Sequence, residues 1–571
     1  MKIGLRKIRT AFNLLKRERS FRLFISLIYW NLRINKRTFY SSQYRWRPES
    51  VISEKNYSGL KIAVTAHIFY EEYVDVLFSA LNNIETDFTL LITTHSSDIA
   101  NLISDNKTTP SQCKDIRIAI CPNRGRNFGP LLVEFGALLV QDYDIFLHVH
   151  SKKSLHRGQE QAEWAKYLFR SLLGSKKIVN KIIGAFESYA NIGLIYPVSY
   201  GPMPSWVHSW LQNFELGKSL SRQIGIREVT SDFQIYPVGG MFWARTSALK
   251  QLLEFPWNYD DFPVEAGQID GTVQHVIERI LDNVANENGM RSVFVYDEDL
   301  TEDRSFAWKD ALGESRMSLN SKISPAAVLS WDLFDTLIFR KTGQPDFAKY
   351  QVGEILHTKG FISDPMEYVL FRNTVEREMR SSVGLSGDVS LKMITEEVSS
   401  RRNWDIDADT LNSIEFASDL ATFGLREDIY AVFETLSHKS YVISDTYYSE
   451  TQIDQIFERL NMVKPIKILA SATLGRRKDR GDIWPYFLSE YVKDRNSYLH
   501  LGDNNVSDNQ IPGDFGIKTI KIYSARDLLE IFSDGSFTNP TLTEYVTSEV
   551  GKKASELNQF FSQSAFPFKS V

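Results

Sequence analysis

The 571-residue chain has only two cysteines, Cys113 and Cys121. Two thiols cannot build a disulfide framework or a cysteine-rich zinc site, and so small a number suits a reducing compartment. No uninterrupted apolar stretch approaches the ~20 residues that a membrane-spanning helix needs. The formal net charge is −5, so bulk electrostatics offer nothing to a nucleic acid, and no nucleic-acid partner is expected. Internal repeats and low-complexity tracts are also missing. Acid is nearly absent from one place. Before Pro48 the basic residues Lys2, Arg6, Lys7, Arg9, Lys16, Arg17, Arg19, Arg22, Arg33, Lys36, Arg37, Arg45 and Arg47 meet a single carboxylate, Glu18. Apolar residues run among them, most densely from Phe21 to Trp30. A secretory signal would need a small-residue cleavage pattern, which this stretch does not have. Two readings of it stand: a basic amphipathic helix on an anionic membrane surface, or a helix docked on the protein's own body.

The length calls for two or three domains. Lys61–His67, Phe88–Thr94, Ile116–Ile120, Ile145–Val149, Ile192–Tyr196, Gly239–Arg245 and Val293–Tyr296 read as strands, with helical patterns between most of them. That alternation predicts a mostly parallel sheet. Asp297–Ser324 is polar and weakly periodic and reads as a linker. A second α/β unit begins at Ala327–Trp331. It continues through a wholly helical stretch, 347–436, to strands at Tyr441–Ile443, Ile466–Ala470, Tyr498–Leu501 and Thr519–Ile522. The Ser/Thr-rich tail after Asp534 reads as irregular.

The stretch from Cys121 to Ser154 is the focus of the first unit. A loop, Asn123-Arg124-Gly125-Arg126-Asn127, leads into a helical run and then a short strand that ends in His148, His150, Lys152 and Lys153. Ligands of open α/β sheets bind beyond the carboxyl ends of the strands. Two histidines and two lysines there, with Arg124 and Arg126 one βα unit earlier, suit an anion such as a diphosphate.

Four short motifs organise the second unit. Asp332-Leu-Phe-Asp-Thr-Leu337 closes an apolar strand in a carboxylate with Thr336 in the turn. Ser444 ends Tyr441-Val-Ile-Ser, Lys478 lies in Arg476-Arg-Lys-Asp-Arg-Gly481, and Asp503 and Asp508 lie in Leu501-Gly-Asp-Asn-Asn-Val-Ser-Asp508. In this order they resemble the four motifs of the haloacid dehalogenase-like (HAD-like) hydrolases. The resemblance implies Asp332 as a nucleophile that forms a covalent intermediate. It implies Thr336, Ser444 and Lys478 as phosphate-binding groups, and Asp332, Asp503 and Asp508 as ligands of Mg²⁺. The helical insert matches the cap of such domains. Phosphatases of the superfamily carry a second aspartate two positions after the nucleophile, as a proton donor. Here that position is Phe334, and Asp335 follows it. This form resembles the subgroup fused to bacterial glycan-assembly enzymes.

In the first unit His67-Ile-Phe-Tyr-Glu71, Asn123–Gly129, Tyr143–Ser154, Gly239–Arg245, and Glu265–Thr272 with His275, Glu278 and Arg279 are similar to the rhamnan synthesis protein F family. That resemblance implies a GT-A-like, nucleotide-sugar-binding α/β domain. Donor contacts would come from His67, Asn123, Arg124, Arg126, His148, His150, Lys152, Lys153 and Arg245. The family's pattern has an aspartate where Asn127 stands. GT-A enzymes usually hold a metal through Asp-X-Asp at a strand end. Here His148-Val-His150 and the two lysines stand in its place, so positive side chains stabilise the departing diphosphate and no metal is required. The other reading makes His148 and His150 metal ligands. Glu265 or Asp270 serves as the base that activates the acceptor hydroxyl, and only one is needed. Either one alternatively serves as a helix-start carboxylate. Trp206, Trp210, Trp243 and Trp257 either stack on sugars or fill the core.

The expected architecture is therefore α/β, in five parts. Residues 1–50 form the basic amphipathic segment, 51–300 the GT-A-like glycosyltransferase domain, and 301–325 the linker. Residues 326–535 form a HAD-like Rossmannoid domain with its cap at about 347–436, and 536–571 the tail. The implied function is sugar transfer in bacterial surface polysaccharide synthesis of the rhamnan, O-antigen or capsule type. The donor would be a nucleotide sugar, with dTDP-rhamnose leading, and the acceptor a lipid-linked glycan. Other assembly enzymes would act alongside it at the cytoplasmic face of the membrane. Mg²⁺ is expected for the HAD-like domain alone. Two further readings are a Mg²⁺-dependent sugar-phosphate phosphohydrolase with a glycan-binding module, and a non-catalytic scaffold of a synthase complex.

Overall fold

The computed structural model describes residues 59–105, 109–151, 158–268, 270–384, 387–402, 404, 406–532 and 540–567. The basic N-terminal segment, Lys152 and Lys153 lie outside these residues. The described residues form two compact units, with the boundary between Lys309 and Asp310.

The first unit is built on one eight-stranded sheet. Its strands are β1 (Ile62–His67), β2 (Phe88–Thr94), β3 (Cys113–Ile120), β4 (Ile145–His150), β5 (Ile192–Pro197), β6 (Phe242–Arg245), β7 (Arg291–Tyr296) and β8 (Asp299–Thr301), in the spatial order β3-β2-β1-β4-β6-β5-β7-β8. β3, β2, β1 and β4 run parallel, as do β5 and β7. β6 is antiparallel to both of its neighbours, and β8 folds back on β7. All six residues of β1, β4 and β5 are buried. This is why these strands read as unbroken apolar runs, since helices cover both sheet faces. The helix Lys176–Ser188 supplies part of that cover through Ile178, Val179, Ile182 and Ile183. It starts at Ser175, whose hydroxyl accepts from Ile178 N at 3.3 Å. The edge strand β3 carries Lys114, Asp115 and Arg117, charges that discourage edge-to-edge pairing.

The second unit holds a five-stranded parallel sheet in the order β13-β12-β9-β14-β15, from β9 (Val328–Trp331), β12 (Ser440–Ser444), β13 (Lys467–Ala470), β14 (Tyr498–Gly502) and β15 (Lys518–Lys521). Between β9 and β12 the chain forms a two-stranded antiparallel ribbon, β10 (Ile338–Arg340) with β11 (Phe423–Leu425), and the helices between these strands have their own core. Val352, Leu356, Tyr368, Val375, Val398 and Leu411 fill that core.

Three expectations need correction. The stretch taken as a linker carries a helix, Arg316–Ile323, whose Leu319 and Ile323 are fully buried in the core of the second sheet. Its apolar spacing of four residues was outweighed by the surrounding polar sequence. The tail is helical at Leu542–Thr547 and Glu549–Gln563, where Ala554, Leu557, Phe560 and Phe561 pack on Leu528 and Leu529. The insert at 347–436 is not helical throughout, because β11 interrupts it. Its last helix, Glu427–Leu436, packs Ile429, Val432 and Phe433 with Trp331 and Val442 of the main sheet rather than with the cap.

Candidate active sites

In the first unit β1 and β4 pair in parallel so that His67 lies beside His150 and Thr65 beside His148. His148 is fully buried. Asn127 Nδ2 donates to its Nε2 at 3.0 Å, and its Nδ1 faces Thr65 Oγ1 at 2.9 Å while Thr65 donates onward to Leu147 O at 3.0 Å. This chain of donors and acceptors is consistent only with a neutral ring protonated at Nδ1. Burial, reinforced by His150 and His67, holds His148 well below the ordinary histidine range. Burial likewise pushes His67, bonded through Nδ1 to Thr93 Oγ1 at 2.9 Å, down to about 3, with His150 and His95 adding to the shift.

His150 Nε2 donates to Gly239 O at 2.9 Å, and Gly239 N donates to Glu278 Oε1 at 2.7 Å. The Gly239–Gly240 turn is thus held from both sides. Gly240 has φ +68°, and a Cβ there would stand 3.2 Å from Asn127 Nδ2 and 3.5 Å from His150 Nε2. The first unit therefore brings loop 123–127, the end of β4 and the Gly-Gly turn together.

The arginines of the loop are tied to the segment before the helix Val273–Glu287. Arg124 Nη1 reaches Asp260 Oδ1 at 2.5 Å and Tyr259 O at 3.2 Å. Arg126, at φ +52°, donates to Gln268 O and lies 3.6 Å from Glu265 Oε2. Glu265 also accepts from Gln274 Nε2 at 3.0 Å. Asn123 is exposed.

The two carboxylates proposed as base differ. Glu265 sits against Arg126, at the rim of the same loop. Asp270 is buried, accepts from Asn213 Nδ2 at 2.6 Å and Gln212 N at 3.3 Å, and pairs with buried Arg279 at 3.4 Å. It braces the chain ahead of the helix. Arg245 does not join the site. β6 runs antiparallel to β4, which sets Phe242 beside His148 and Arg245 beside Ile145 at the opposite end of the strand. There its guanidinium donates to Phe186 O at 2.6 Å and Ile192 O at 3.3 Å. Both ring nitrogens of His148 are engaged, so service as a metal ligand would break one of its two bonds. Trp210 and Trp243 are core residues, and Trp257 packs on Phe262.

Sequence reasoning did not single out Thr65, Gln274 or the role of Glu278. The glycine pair ahead of β6 was a signal for a close approach of backbone. Gln274 carried none.

In the second unit β9, β12 and β14 end together. Trp331 pairs with Val442 and with Leu501, so Asp332, Ser444 and Asp503 emerge from adjacent strand ends. Lys478 Nζ lies 2.5 Å from Asp332 Oδ1 and 2.5 Å from Asp508 Oδ1. Asp508 reaches this point because a π-helical turn, Asn505–Gln510, folds it back beneath β14, where Asn504 N donates to it at 2.9 Å. Gly502 is required here, since a Cβ would lie 2.3 Å from Asp508 Cγ. His500 Nε2 approaches the same carboxylate at 3.2 Å, with its Nδ1 on Ser330 at 2.7 Å.

Oxygens of Asp332, Asp503 and Asp508 lie within 4.8 Å of one another. Burial raises Asp332 to about 7 against the pull of Lys478, and burial with the neighbouring carboxylates raises Asp503 well above the usual range. Lys478 and His500 hold Asp508 low. Three clustered carboxylates, two of them on the Lys478 ammonium, are an all-oxygen donor set that a hard divalent cation would relieve, so the residues present fit such an ion.

Ser444 is 1% exposed and its Oγ has no partner. Thr336 donates to Asp503 Oδ1 at 3.2 Å and so positions that carboxylate. Asp445, which the sequence did not mark, accepts from Lys478 N at 2.8 Å and Asp479 N at 3.1 Å and fixes the lysine loop. Phe334 fills its position with a ring 5.6 Å from Phe423 and 5.0 Å from the Arg340 guanidinium.

Residues 32–290 match the family model described as Rhamnan synthesis protein F, in agreement with the motifs between His67 and Arg279. An uncharacterized protein, WxcX, from Xanthomonas campestris pv. campestris (strain B100) is 29% identical over 229 residues, or 40% of this chain and 32% of that protein. A protein of the same description from a second strain of that pathovar aligns equally well. The chain thus spans about a third of the length of the curated relatives it matches. Among solved structures, a magnesium-bound HAD-hydrolase, YfnB, of Bacillus subtilis is similar at 13% identity and TM-score 0.27, over 37% of this chain and 99% of that one. A haloacid dehalogenase-like family hydrolase from Xanthomonas campestris is similar at 15% identity and TM-score 0.26, over 37% of this chain and 94% of that one. Among the described residues no helix is long and apolar enough to cross a membrane.

Proposed function

We propose that the protein takes part in bacterial surface polysaccharide synthesis and that its first unit is a glycosyltransferase with a GT-A-like fold. It would move a sugar, with rhamnose from dTDP-rhamnose leading, onto a lipid-linked glycan at the inner face of the membrane. The observation that carries this reading is the cradle at the carboxyl ends of β1 and β4, formed by neutral His67 and His148, His150 and the Gly239–Gly240 turn, with Glu265 and Arg126 at its rim. Support also comes from the match of residues 32–290 to the rhamnan synthesis family. In this reading Glu265 takes the proton of the acceptor hydroxyl. Arg126, together with Lys152 and Lys153, offsets the charge of the departing diphosphate, and the step needs no metal of its own. Incubation of the full chain with a panel of nucleotide sugars and a lipid-linked acceptor tests it. Transfer from a single deoxyhexose donor that survives chelation is the expected result. No transfer from any donor would leave the first unit as a glycan-binding module.

The second unit would act as a phosphoryl-transfer enzyme with Asp332 as nucleophile. Asp332, Asp503 and Asp508 would hold Mg²⁺, which when bound supplies positive charge to the phosphoryl oxygens. Ser444, at the end of β12, and Lys478, in the loop that follows β13, would bind those oxygens. The buried, unpartnered hydroxyl of Ser444 favours this reading over that of a scaffold.

A further inference from the structure

We propose that the second unit cleaves phosphoric anhydrides, and that its substrate is the nucleoside diphosphate set free by sugar transfer. The choice of nucleotide rests on the transferase reading above. The second site lacks a proton for the leaving group. When Asp332 attacks phosphorus, the bond to the leaving oxygen breaks and that oxygen takes the electron pair. The alkoxide of a sugar or alcohol phosphate leaves poorly unless an acid protonates it. By the resemblance of its motif, Phe334 stands two residues after the nucleophile, where a carboxyl would do so, and a phenyl ring has no proton to give. Its place is well anchored by Phe423, by Tyr448 at 6.2 Å and by the Arg340 guanidinium, which is itself bonded to Asp419 at 2.8 and 2.7 Å.

Asp335, one residue on, is exposed at φ +57° and is the one carboxyl that the test below must exclude; the donors around Phe334 and Asp332 are committed. Tyr448 donates to Asp419 at 2.6 Å, Thr336 to Asp503, Lys478 to two carboxylates, and His500 lies between Ser330 and Asp508. A nucleoside monophosphate needs no such help, because it departs as a stable anion. Halide also leaves without a proton. Displacement of halide at carbon, however, presents no phosphoryl oxygens to a divalent cation, whereas the three clustered carboxylates fit one. The vacant hydroxyl of Ser444, at the strand end next to Asp332, instead awaits an anionic oxygen.

Asp332 Oδ bonds to the β-phosphorus, the bridging P–O bond breaks, and nucleoside monophosphate leaves with the electron pair. Water then attacks the same phosphorus, the P–O bond to Asp332 breaks, and inorganic phosphate and one proton are released. With no side chain at 334 to take water's proton, the second step is the slower one, so the aspartyl phosphate accumulates. Sugar transfer leaves a nucleoside diphosphate for each bond made, and a phosphoanhydride hydrolase is the class of reaction that consumes it.

The full chain, in magnesium buffer, would be given thymidine diphosphate, p-nitrophenyl phosphate, glycerol 3-phosphate or 2-chloropropionate. Phosphate release and a phosphoryl adduct on the Asp332 peptide would be followed by mass spectrometry. The expected result is turnover of thymidine diphosphate about 10²–10⁴-fold faster than of glycerol 3-phosphate, the usual worth of a general acid. The adduct should form on the native chain and be lost in Asp332→Asn. Phe334→Asp should narrow the gap between the two substrates, and because that variant disturbs an aromatic cluster, the comparison on the unaltered chain stands as the primary reading. Equal rates on the two substrates, or a glycerol 3-phosphate activity that Asp335→Asn removes, would overturn the proposal while leaving phosphoryl transfer intact. Reaction with p-nitrophenyl phosphate but not thymidine diphosphate would overturn the nucleotide assignment, and chloride release would move the unit to dehalogenation. Silence with every probe would instead sink the reading of the second unit as a phosphoryl-transfer enzyme.

Discussion

Asn127 donates its amide hydrogen to His148 Nε2 across 3.0 Å in a buried site. That bond sets the histidine's tautomer. Where the family pattern has an aspartate, this chain has a donor. Asn127→Ala should cost about 1–3 kcal/mol, because it strands a buried acceptor, and chemical denaturation reads this directly. Asn127→Asp should bring a proton onto Nε2, since a carboxylate only accepts. Histidine ¹⁵N spectra that show Nε2 protonated in the native chain would refute the assignment.

A pH dependence follows from His67 and His148. Both are held below their ordinary range by burial, His67 to about 3. In acid the unfolded chain takes up protons near pH 6.5 that the folded chain refuses, so these groups cost no stability above that pH. Stability then falls as the pH drops toward 3, by ~1.4 kcal/mol per pH unit for each such group. The denaturation midpoint of the first unit should decline between pH 7 and 5, and His67→Gln should flatten the decline. An identical slope in the variant would exclude His67 as a contributor.

Glu265 and Asp270 should respond differently to neutralisation. Glu265→Gln is expected to lower sugar transfer by about 10²–10⁴-fold with little change in stability. Asp270→Asn removes the partner of buried Arg279 and should destabilise the fold while the surviving protein retains most of its rate. Retention of full activity in Glu265→Gln would pass the role of base elsewhere.

Magnesium should stabilise the second unit. An ion that binds only the folded site contributes ~2.7 kcal/mol at a hundredfold excess over its dissociation constant. A higher thermal midpoint with magnesium is expected for the native chain and not for Asp508→Asn, which loses one of the three clustered oxygen donors. An equal rise in both would place the ion at another site.

In the cap, Arg372 and Glu415 form a fully buried pair at 2.8 Å that Tyr368 joins at 2.7 Å. Removal of one charge leaves the other unpaired, so Arg372→Ala should cost about 3–5 kcal/mol. The paired change Arg372→Met with Glu415→Leu should recover much of it. Hydrogen exchange across 352–411 is the measurement, and an undiminished protection in Arg372→Ala would show that the cap does not depend on the pair.

Much of this molecule was legible in its chain. The central strands are buried on both faces, so each one shows as an apolar run, and the residues at their carboxyl ends could be named from position alone: His67, His150, Asp332, Ser444 and Asp503. The identity of Phe334 was likewise plain, and it narrows the chemistry of the second site before any coordinate is known. What only the tertiary structure decided concerns direction and partnership, which depend on residues distant in sequence. The reversal of β6 carries Arg245 away from the site although its motif sits beside the Gly-Gly turn. Arg124 and Arg126 are tied to residues 259–268, and Asp270 is spent on Arg279 and Asn213. The tail and the former linker became helices because a few apolar side chains found buried partners, an outcome that a polar composition conceals. Asp508 joins Asp332 only because a π turn folds back over Gly502. Local sequence sets which strands form and what they end in, whereas the pairing of strands decides which of those ends meet.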